Sequence, residues 1–493
     1  MDSGKRYRFL QELRSTIRSI SAVGVGACLV FASKPPMSLA QEGGSVPGPS
    51  LGAPCDTHGA NCDASGRGSV GMGTGAQCDG LGNASNAASG SCDSLGGAGG
   101  ALSGVGEDGV WFPAVAATRQ RWAENGIAFQ NNLTQFYFGN TSGGAEQLFR
   151  YAGHGDYLTN FDFGKLLGTP GAFLKVRAEH RFGRTINDAA GVVLPPTIAA
   201  DLPVVDSTNL YLTNVLFTQA LSESFVMYAG KLDTLDGDMN AFAHGRGIRQ
   251  FSNGALVANP IALRTIPYST LGTGMAWLLD GEPWLIFNVL NATDTTRTSG
   301  FNELFNEGVA LASEMRVPTN FFGKPGHQLI AGTWNSRSYT SLDQDPRIVL
   351  PNVPIAKQNG SWSLYWNCDQ YLVSDSSNPK RGWGYFARAG IADQGTNPIG
   401  YFLSSGIGGS SPLRNRERDS FGVGYYFLGA SNQIAPFINT IFGNFGDGMG
   451  VEIYYNIATR KRLTITPDLQ IIAPPRQKYD TALVAGLRAN YNF

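Results

Sequence analysis

Between Phe173 and Phe182 charged and apolar residues alternate without a break. Lys175, Arg177, Glu179 and Arg181 share one face of an extended chain; Leu174, Val176, Ala178, His180 and Phe182 share the other. The charged face needs water, because an Arg or Lys at the middle of a bilayer costs about 2–4 kcal/mol. The same alternation sets Glu314 and Arg316 opposite Leu311, Met315 and Val317. It turns Arg388, Glu452, Asp468 with Gln470, and Arg488 to the water side of their own stretches. On 361–373, Tyr365, Asn367, Asp369 and Tyr371 oppose Trp362, Leu364 and Trp366. Guanidinium forks and carboxylates can both bond to hydroxyl groups, and a Tyr face accepts an apolar ring surface. This is chemistry for holding a hydroxyl-rich solute briefly, not for breaking bonds. The signs are mixed, whereas a ring of one sign would indicate ion selectivity. Solvation of a water-filled wall accounts for any one of these charges as well as a solute contact does.

One long link carries polar groups of the same kind. Residues 233–269 hold Asp236, Asp238, Asn240, Arg246, Arg249, Asn259 and Arg264. A structureless connection of that length is uncommon unless functional. The expectation is that it folds inward and narrows a channel; the alternative is a loop lying on the rim. Catalysis finds little support. Beyond the first forty residues the histidines are His58, His154, His180, His244 and His327, and none sits in a recognisable nucleophile motif. The reading is therefore no enzyme, no cofactor and no metal.

The elements that must position these residues are strands. From Gly126 to Phe493 the pattern has period two. Sixteen stretches fit: 126–138, 157–163, 171–182, 207–218, 224–232, 270–279, 283–291, 307–317, 326–336, 361–373, 382–393, 399–409, 419–428, 449–458, 463–472 and 483–493, with a doubtful run at 147–152. In the last one Leu483, Ala485, Leu487, Ala489, Tyr491 and Phe493 face one way, and Val484, Gly486, Arg488, Asn490 and Asn492 the other. One face suits hydrocarbon and the other water, as in a transmembrane β-barrel. Turn signals such as Gly281-Glu-Pro283 and Gly323-Lys-Pro-Gly326 separate the stretches, and short links alternate with long ones. The fold expected is all-β: a transmembrane antiparallel β-barrel of about sixteen strands over 126–493. A short helix over 110–125, with Pro113 in its first turn, leads into it. A soluble β-sandwich or solenoid is the competing architecture. It explains neither the N-terminal region described next nor the tryptophans at strand ends.

Lys5, Arg6, Arg8, Arg14 and Arg18 precede a moderately apolar stretch, Ile20 to Ala32, and Ser38-Leu39-Ala40 supplies small residues for cleavage. Residues 1–40 thus read as a signal peptide cleaved near Ala40, with a short membrane anchor as the alternative. Its removal leaves 31 basic against 36 acidic residues and no basic stripe, which argues against a nucleic-acid partner. Residues 41–109 form a low-complexity Gly/Ala/Ser tail without aromatic residues, expected to be flexible. Within it Cys-Asp recurs at Cys55, Cys62, Cys78 and Cys92. Two disulfides of unknown pairing are one reading and a metal site another, but the spacings match no C-x2-C zinc pattern.

The C-terminal third resembles a known family. The segments are Gly382-Trp-Gly-Tyr-Phe-Ala-Arg388 with Ala389-Gly390, Gly406 to Gly409, and Asp419-Ser-Phe-Gly-Val-Gly-Tyr425. Then come Gly450-Val-Glu-Ile-Tyr-Tyr455, Leu463-Thr-Ile-Thr-Pro-Asp-Leu-Gln470 and Gly486-Leu-Arg488 before Phe493. In this order they resemble the carbohydrate-selective porins of the OprB type, as do Arg121 to Gly126 and Gly230-Lys-Leu-Asp233. The resemblance spans roughly 113–493. It departs at Ala473-Pro474-Pro475, where the family has an Asn-Pro-Gly turn, and in the Cys-bearing tail. It implies an outer-membrane channel through which small sugars diffuse passively, past a constriction lined by charged and aromatic side chains. Its partners would be the sugar and outer-membrane lipid, with a homo-oligomer left open. A general or ion-selective porin, or a barrel displaying its tail as an adhesin does, are the alternatives.

Overall fold

In the computed structural model of the chain, residues 113–493 are described except 350–351, 376–380, 436–438, 440–443 and 461. The expected signal peptide and the tail with Cys55, Cys62, Cys78 and Cys92 lie outside the described residues. A helix, α1 (Pro113–Glu124), precedes the sheet. The strands follow in order: β1 (Ile127–Gly144), β2 (Phe149–Asp162), β3 (Ala172–Gly183), β4 (Tyr211–Ser222), β5 (Phe225–Asp233), β6 (Ser269–Leu279), β7 (Glu282–Asn291) and β8 (Val309–Phe321). The second half comprises β9 (Lys324–Thr340), β10 (Lys357–Ser374), β11 (Gly382–Ala392), β12 (Ile399–Ser410), β13 (Ser420–Ala430), β14 (Gly448–Arg460), β15 (Leu463–Ala473) and β16 (Asp480–Asn492). Each strand pairs antiparallel with its sequence neighbours, and β1 pairs with β16, so the sixteen strands close into a barrel.

The runs at 147–152 and 157–163 are one strand. Gly153 and Gly155 interrupt the apolar pattern of β2, but the rings of Phe182 and His180 on β3 lie over them; a Cβ at Gly153 would come within 2.0 Å of Phe182. Tight turns close one end of the barrel. Asp280-Gly281 joins β6 to β7 with φ of 51° and 78°, and Phe322-Gly323 joins β8 to β9 with φ of 55° and 69°. Two consecutive left-handed residues match the twist of a two-residue hairpin. The long links lie at the other end. Tight turns face the periplasm and long loops the exterior in barrels of this kind.

Alternation sorts the side chains. Leu403, Ile453 and Leu487 are exposed on the outer surface, whereas Arg388, Glu452 and Arg488 point inward. Two links fold into the barrel: 184–210 between β3 and β4, and 234–268 between β5 and β6. Ile186, Val192 and Leu194 of the first, and Phe242, Ile248, Phe251, Leu256 and Ile261 of the second, join one buried cluster with wall residues such as Tyr365, Phe386, Phe402 and Tyr454. Glycines thin the wall to admit the second link. A Cβ at Gly390 would lie 2.4 Å from Ile261, one at Gly384 2.6 Å from Phe242, and one at Gly424 2.9 Å from Phe251.

Candidate functional site

The inward-folded link 234–268 is fixed to the wall by charged groups at three places, and near its end by neutral hydrogen bonds from Asn335 and Tyr339. The first is an ion cluster at its start. Strand β3 presents Lys175, Arg177 and Glu179, β2 presents His154 and Asp156, and β5 ends in Asp233. Arg177 Nε lies 3.1 Å from Asp156, and its Nη1 lies 3.0 Å from Asp233 and 2.7 Å from Asp236. Arg246, from the link, reaches Glu179 at 2.8 Å, Asp233 at 2.9 Å and Asp236 at 2.8 Å. Lys175 Nζ lies 2.6 Å from Asp236. Three cations therefore face four carboxylates. Glu179 also accepts from Thr213 and from the Tyr268 hydroxyl, at 2.5 Å each, and lies 3.2 Å from His154. Charges out of water are tolerated only when paired in this way.

Burial and charge compete over these link groups. Burial works against the Asp236 carboxylate, but Arg177, Lys175 and Arg246 outweigh it and hold the group well below the usual carboxylate range. Burial likewise disfavours the Arg246 cation, but Asp233 and Glu179 raise it well above its ordinary value. Arg246 sits at φ 56°, a left-handed conformation uncommon outside glycine, and its acid partners hold it there.

The second fixing point is Arg388 on β11. Its Nε lies 2.8 Å from Asp238, and its Nη1 donates to the Leu256 carbonyl at 3.1 Å. Nη2 donates to the Ala243 carbonyl. Asp238 also accepts from Asn367 of β10 at 2.6 Å. Burial pushes the Asp238 carboxyl up, with Arg388 and Asn367 opposing.

The third is a set on β14–β16. Arg488 donates to the carbonyls of Gly247 and Gln250, at 3.0 and 2.7 Å, and to Ser252 Oγ at 3.0 Å. Glu452 accepts from the backbone N–H groups of Ser252 and Asn253, at 2.5 and 2.9 Å. Asp468 accepts from Ser252 Oγ at 2.9 Å. Gln470 joins the two links, accepting from Asn253 at 3.0 Å and donating to the Pro196 carbonyl at 2.9 Å.

Most of the charges expected to face open water are thus covered. Arg177, Glu179, Arg388, Glu452, Asp468 and Arg488 turn inward as the alternation required, but the link lies over them and they bind it. Arg181 donates to the carbonyls of Ala200 and Val205, so it holds the first link. Glu314 and Asp369 are buried as well. Arg316 keeps some exposure in a separate group near the tight turns, 3.4 Å from Glu282 and 3.8 Å from Asp369, with His327 Nδ1 2.8 Å from Asp369. Within the link, Asp236, Asp238 and Arg246 belong to the fixing points. Arg264 donates to the Thr396 carbonyl at 3.0 Å and lies 4.8 Å over the Tyr339 ring. Arg249 is half-buried.

Asp236, Met239, His244, Arg249 and Gln250 of the link are half-buried, as is Lys175 of β3. Burial lowers His244 to about 4, so it is neutral at neutral pH. Sequence reasoning missed His154, Asp156, Tyr268 and the whole of the 184–210 link. Reading β2 as one strand would have placed His154 and Asp156 on the water side.

Comparison with known proteins follows the same lines. The carbohydrate-selective porin, OprB family, matches residues 146–493. Porin B of Pseudomonas aeruginosa is 26% identical over 167 residues, which make up 30% of this chain and 36% of that protein. The chain thus spans little more than a third of that curated relative. Among solved structures, the high-pH structure of Pseudomonas putida OprB superposes with a TM-score of 0.66 at 18% identity, covering 79% of this chain and 100% of that one. The low-pH structure of the same protein gives a TM-score of 0.50 at 15% identity with equal coverage. At these identities the likeness is one of fold.

Proposed function

The chain belongs to the carbohydrate-selective porin, OprB family, and from that premise we propose that it is an outer-membrane porin for the passive, selective diffusion of sugars. The observation that carries the reading is the 234–268 link, fixed across a closed barrel by ion pairs to β3 on one side and β11 on another. A rigid internal constriction of mixed sign suits a neutral polyol. Its donors and acceptors exchange water for sugar hydroxyls at little net cost, and neither ion sign is strongly favoured. Lys175, Asp236, Arg249, Gln250 and Arg316 are the groups assigned to the path; Arg177, Arg246, Arg388 and Arg488 with their acids set its width.

Export by cleavage near Ala40 belongs to the same proposal, and N-terminal sequencing of outer-membrane protein tests it. A mature chain retaining residues 1–40 would remove that element. For the channel, the purified protein is reconstituted in planar bilayers. Open channels partly blocked by added sugar are expected. Channels that sugar leaves unchanged, with a strong preference for one ion sign, would favour an ion-selective porin instead. A protein that forms no channel would favour a structural barrel.

A further inference from the structure

The β7–β8 link, 292–308, behaves unlike the two links that turn inward. Lys231 of β5 pairs with Val215 and with Leu271 on the face shared by Phe217, Met227 and Trp277, the barrel's outer surface. Despite that position Lys231 and Leu271 are buried. The β7–β8 link covers them. Lys231 Nζ donates to the carbonyls of Thr295 at 2.8 Å and Thr298 at 2.7 Å. A Cβ at Gly300 would lie 3.0 Å from Leu271 Cγ. Thr295 N donates to the Ser269 carbonyl at 2.8 Å, and Arg297 ion-pairs with Asp206 beside the start of β4. The link is therefore a flap folded back over the outside of β5 and β6, near the end of the long loops.

Three large apolar side chains of the flap are exposed, beside the exposed polar Asn302, Asn306 and Glu307. Phe301 is 71% exposed, Phe305 46% and Leu304 37%. On neighbouring β4 and the residue before it, Leu212 is 53% and Leu210 63% exposed. Phe305 also holds φ 57°, costly for a bulky side chain, while its backbone N–H donates to Asn291 Oδ1 at 2.8 Å. Such a patch in water would be an unexplained liability. Here it continues the lipid-facing surface of Phe217 and Met227. The cation beneath it, Lys231, is capped by carbonyls and so does not meet hydrocarbon bare.

We propose that the flap is a lipid-docking surface: Phe301, Leu304 and Phe305 insert into the acyl region of the outer leaflet, and Lys231 pins the flap against the wall. The occupant is lipid because the patch is continuous with the barrel's lipid-facing surface. Its apolar residues fall at i, i+3 and i+4 of one stretch, with the polar Asn302, Asn306 and Glu307 exposed between and after them, as in a segment lying at a lipid–water boundary.

The test uses the full chain with Cys55, Cys62, Cys78 and Cys92 replaced by Ser, carrying Phe301→Cys with a nitroxide label in lipid vesicles. Contact with oxygen is compared with contact with a water-soluble nickel chelate. Met227→Cys serves as the lipid-facing reference and Asp343→Cys as the aqueous one. The expected result is oxygen contact exceeding nickel contact, as at Met227. Adding Lys231→Met should shift the Phe301 label toward the Asp343 behaviour while the barrel stays heat-modifiable. Nickel contact dominating at Phe301 in the parent would overturn the proposal, as would protection from both reagents, which would mark a second copy of the chain as the occupant. An unchanged label in the Lys231→Met chain would overturn the pinning role. If Lys231→Met does not fold, Phe305→Cys in the parent repeats the docking test.

Discussion

Two links enter this barrel, and they differ in where their charges sit. The 184–210 link is fixed by apolar packing of Ile186, Val192 and Leu194 and by Arg181 donating to two carbonyls, and its ion pairs, Arg150–Asp188 and Arg297–Asp206, are partly exposed. The 234–268 link buries apolar side chains too, but its ion pairs, Arg246 with Asp233 and Asp238 with Arg388, are buried as well. A neutral acceptor that loses its donor costs about 1–3 kcal/mol when left buried. A buried charge stripped of its partner costs about 3–5 kcal/mol. The first link is thus suited to filling space, and the second to keeping one shape against which a solute is measured.

The largest effect separating the two should come from Arg246→Ala. It leaves Glu179, Asp233 and Asp236 short of a cation, so the 234–268 link should open about 3–5 kcal/mol more readily. Single-channel recording should show higher, noisier conductance and weaker sugar block, with the barrel still heat-modifiable. Unchanged conductance would mean that the ion cluster does not set the width. Arg181→Met comes next. Hydrogen exchange over 184–210 should rise by an amount equivalent to about 1–3 kcal/mol, with the 234–268 link untouched. Equal changes in both links would erase the distinction.

A pH change should move the links in opposite directions. Burial raises Asp201 to about 6, with Asn187 and Arg181 opposing. A carboxyl raised in the folded state carries a cost when ionised, so the first link should tighten as pH falls through about 6 toward 4. Burial lowers His244 to about 4 from 6.5. A histidine held neutral by the fold contributes stability above 6.5 that is lost as pH falls toward 4, so the second link should loosen over that range. Exchange at pH 7 and pH 5, corrected for intrinsic rates, should show protection rising over 184–210 and falling over 234–268. The smallest effect is expected from Lys175→Ala. The side chain keeps 11% exposure and Asp236 retains Arg177 and Arg246, so the loss should stay below about 1 kcal/mol. Sugar block should weaken slightly with little change in conductance; a fully opened channel would assign Lys175 a structural role.

The strands were legible because one residue in two must meet lipid, and that alternation is local. The β2 glycines hid a strand because their cover comes from β3, which no local pattern reveals. The 234–268 link showed itself by its length and its charges. The 184–210 link did not, because Val192, Val193 and Leu194 are consecutive and imitate no periodic element. The role of Arg388 and Arg488 was only half legible. Alternation sets their direction, but their burial depends on partners 150 and 241 residues away, the Asp238 and Gly247 carbonyls.

The seam between β1 and β16 has a consequence for assembly. Thr134 and Asn490 meet there across 356 residues of chain, at 2.7 Å. Until the last strand arrives, β1 and β15 each present a row of unpaired N–H and C=O groups, a template for pairing with other chains. Every other strand can find a hairpin neighbour as it forms, but closure demands the contact of longest sequence separation, and such contacts form slowly. The half-built sheet therefore has to be shielded from its own edges until the final strand is in place.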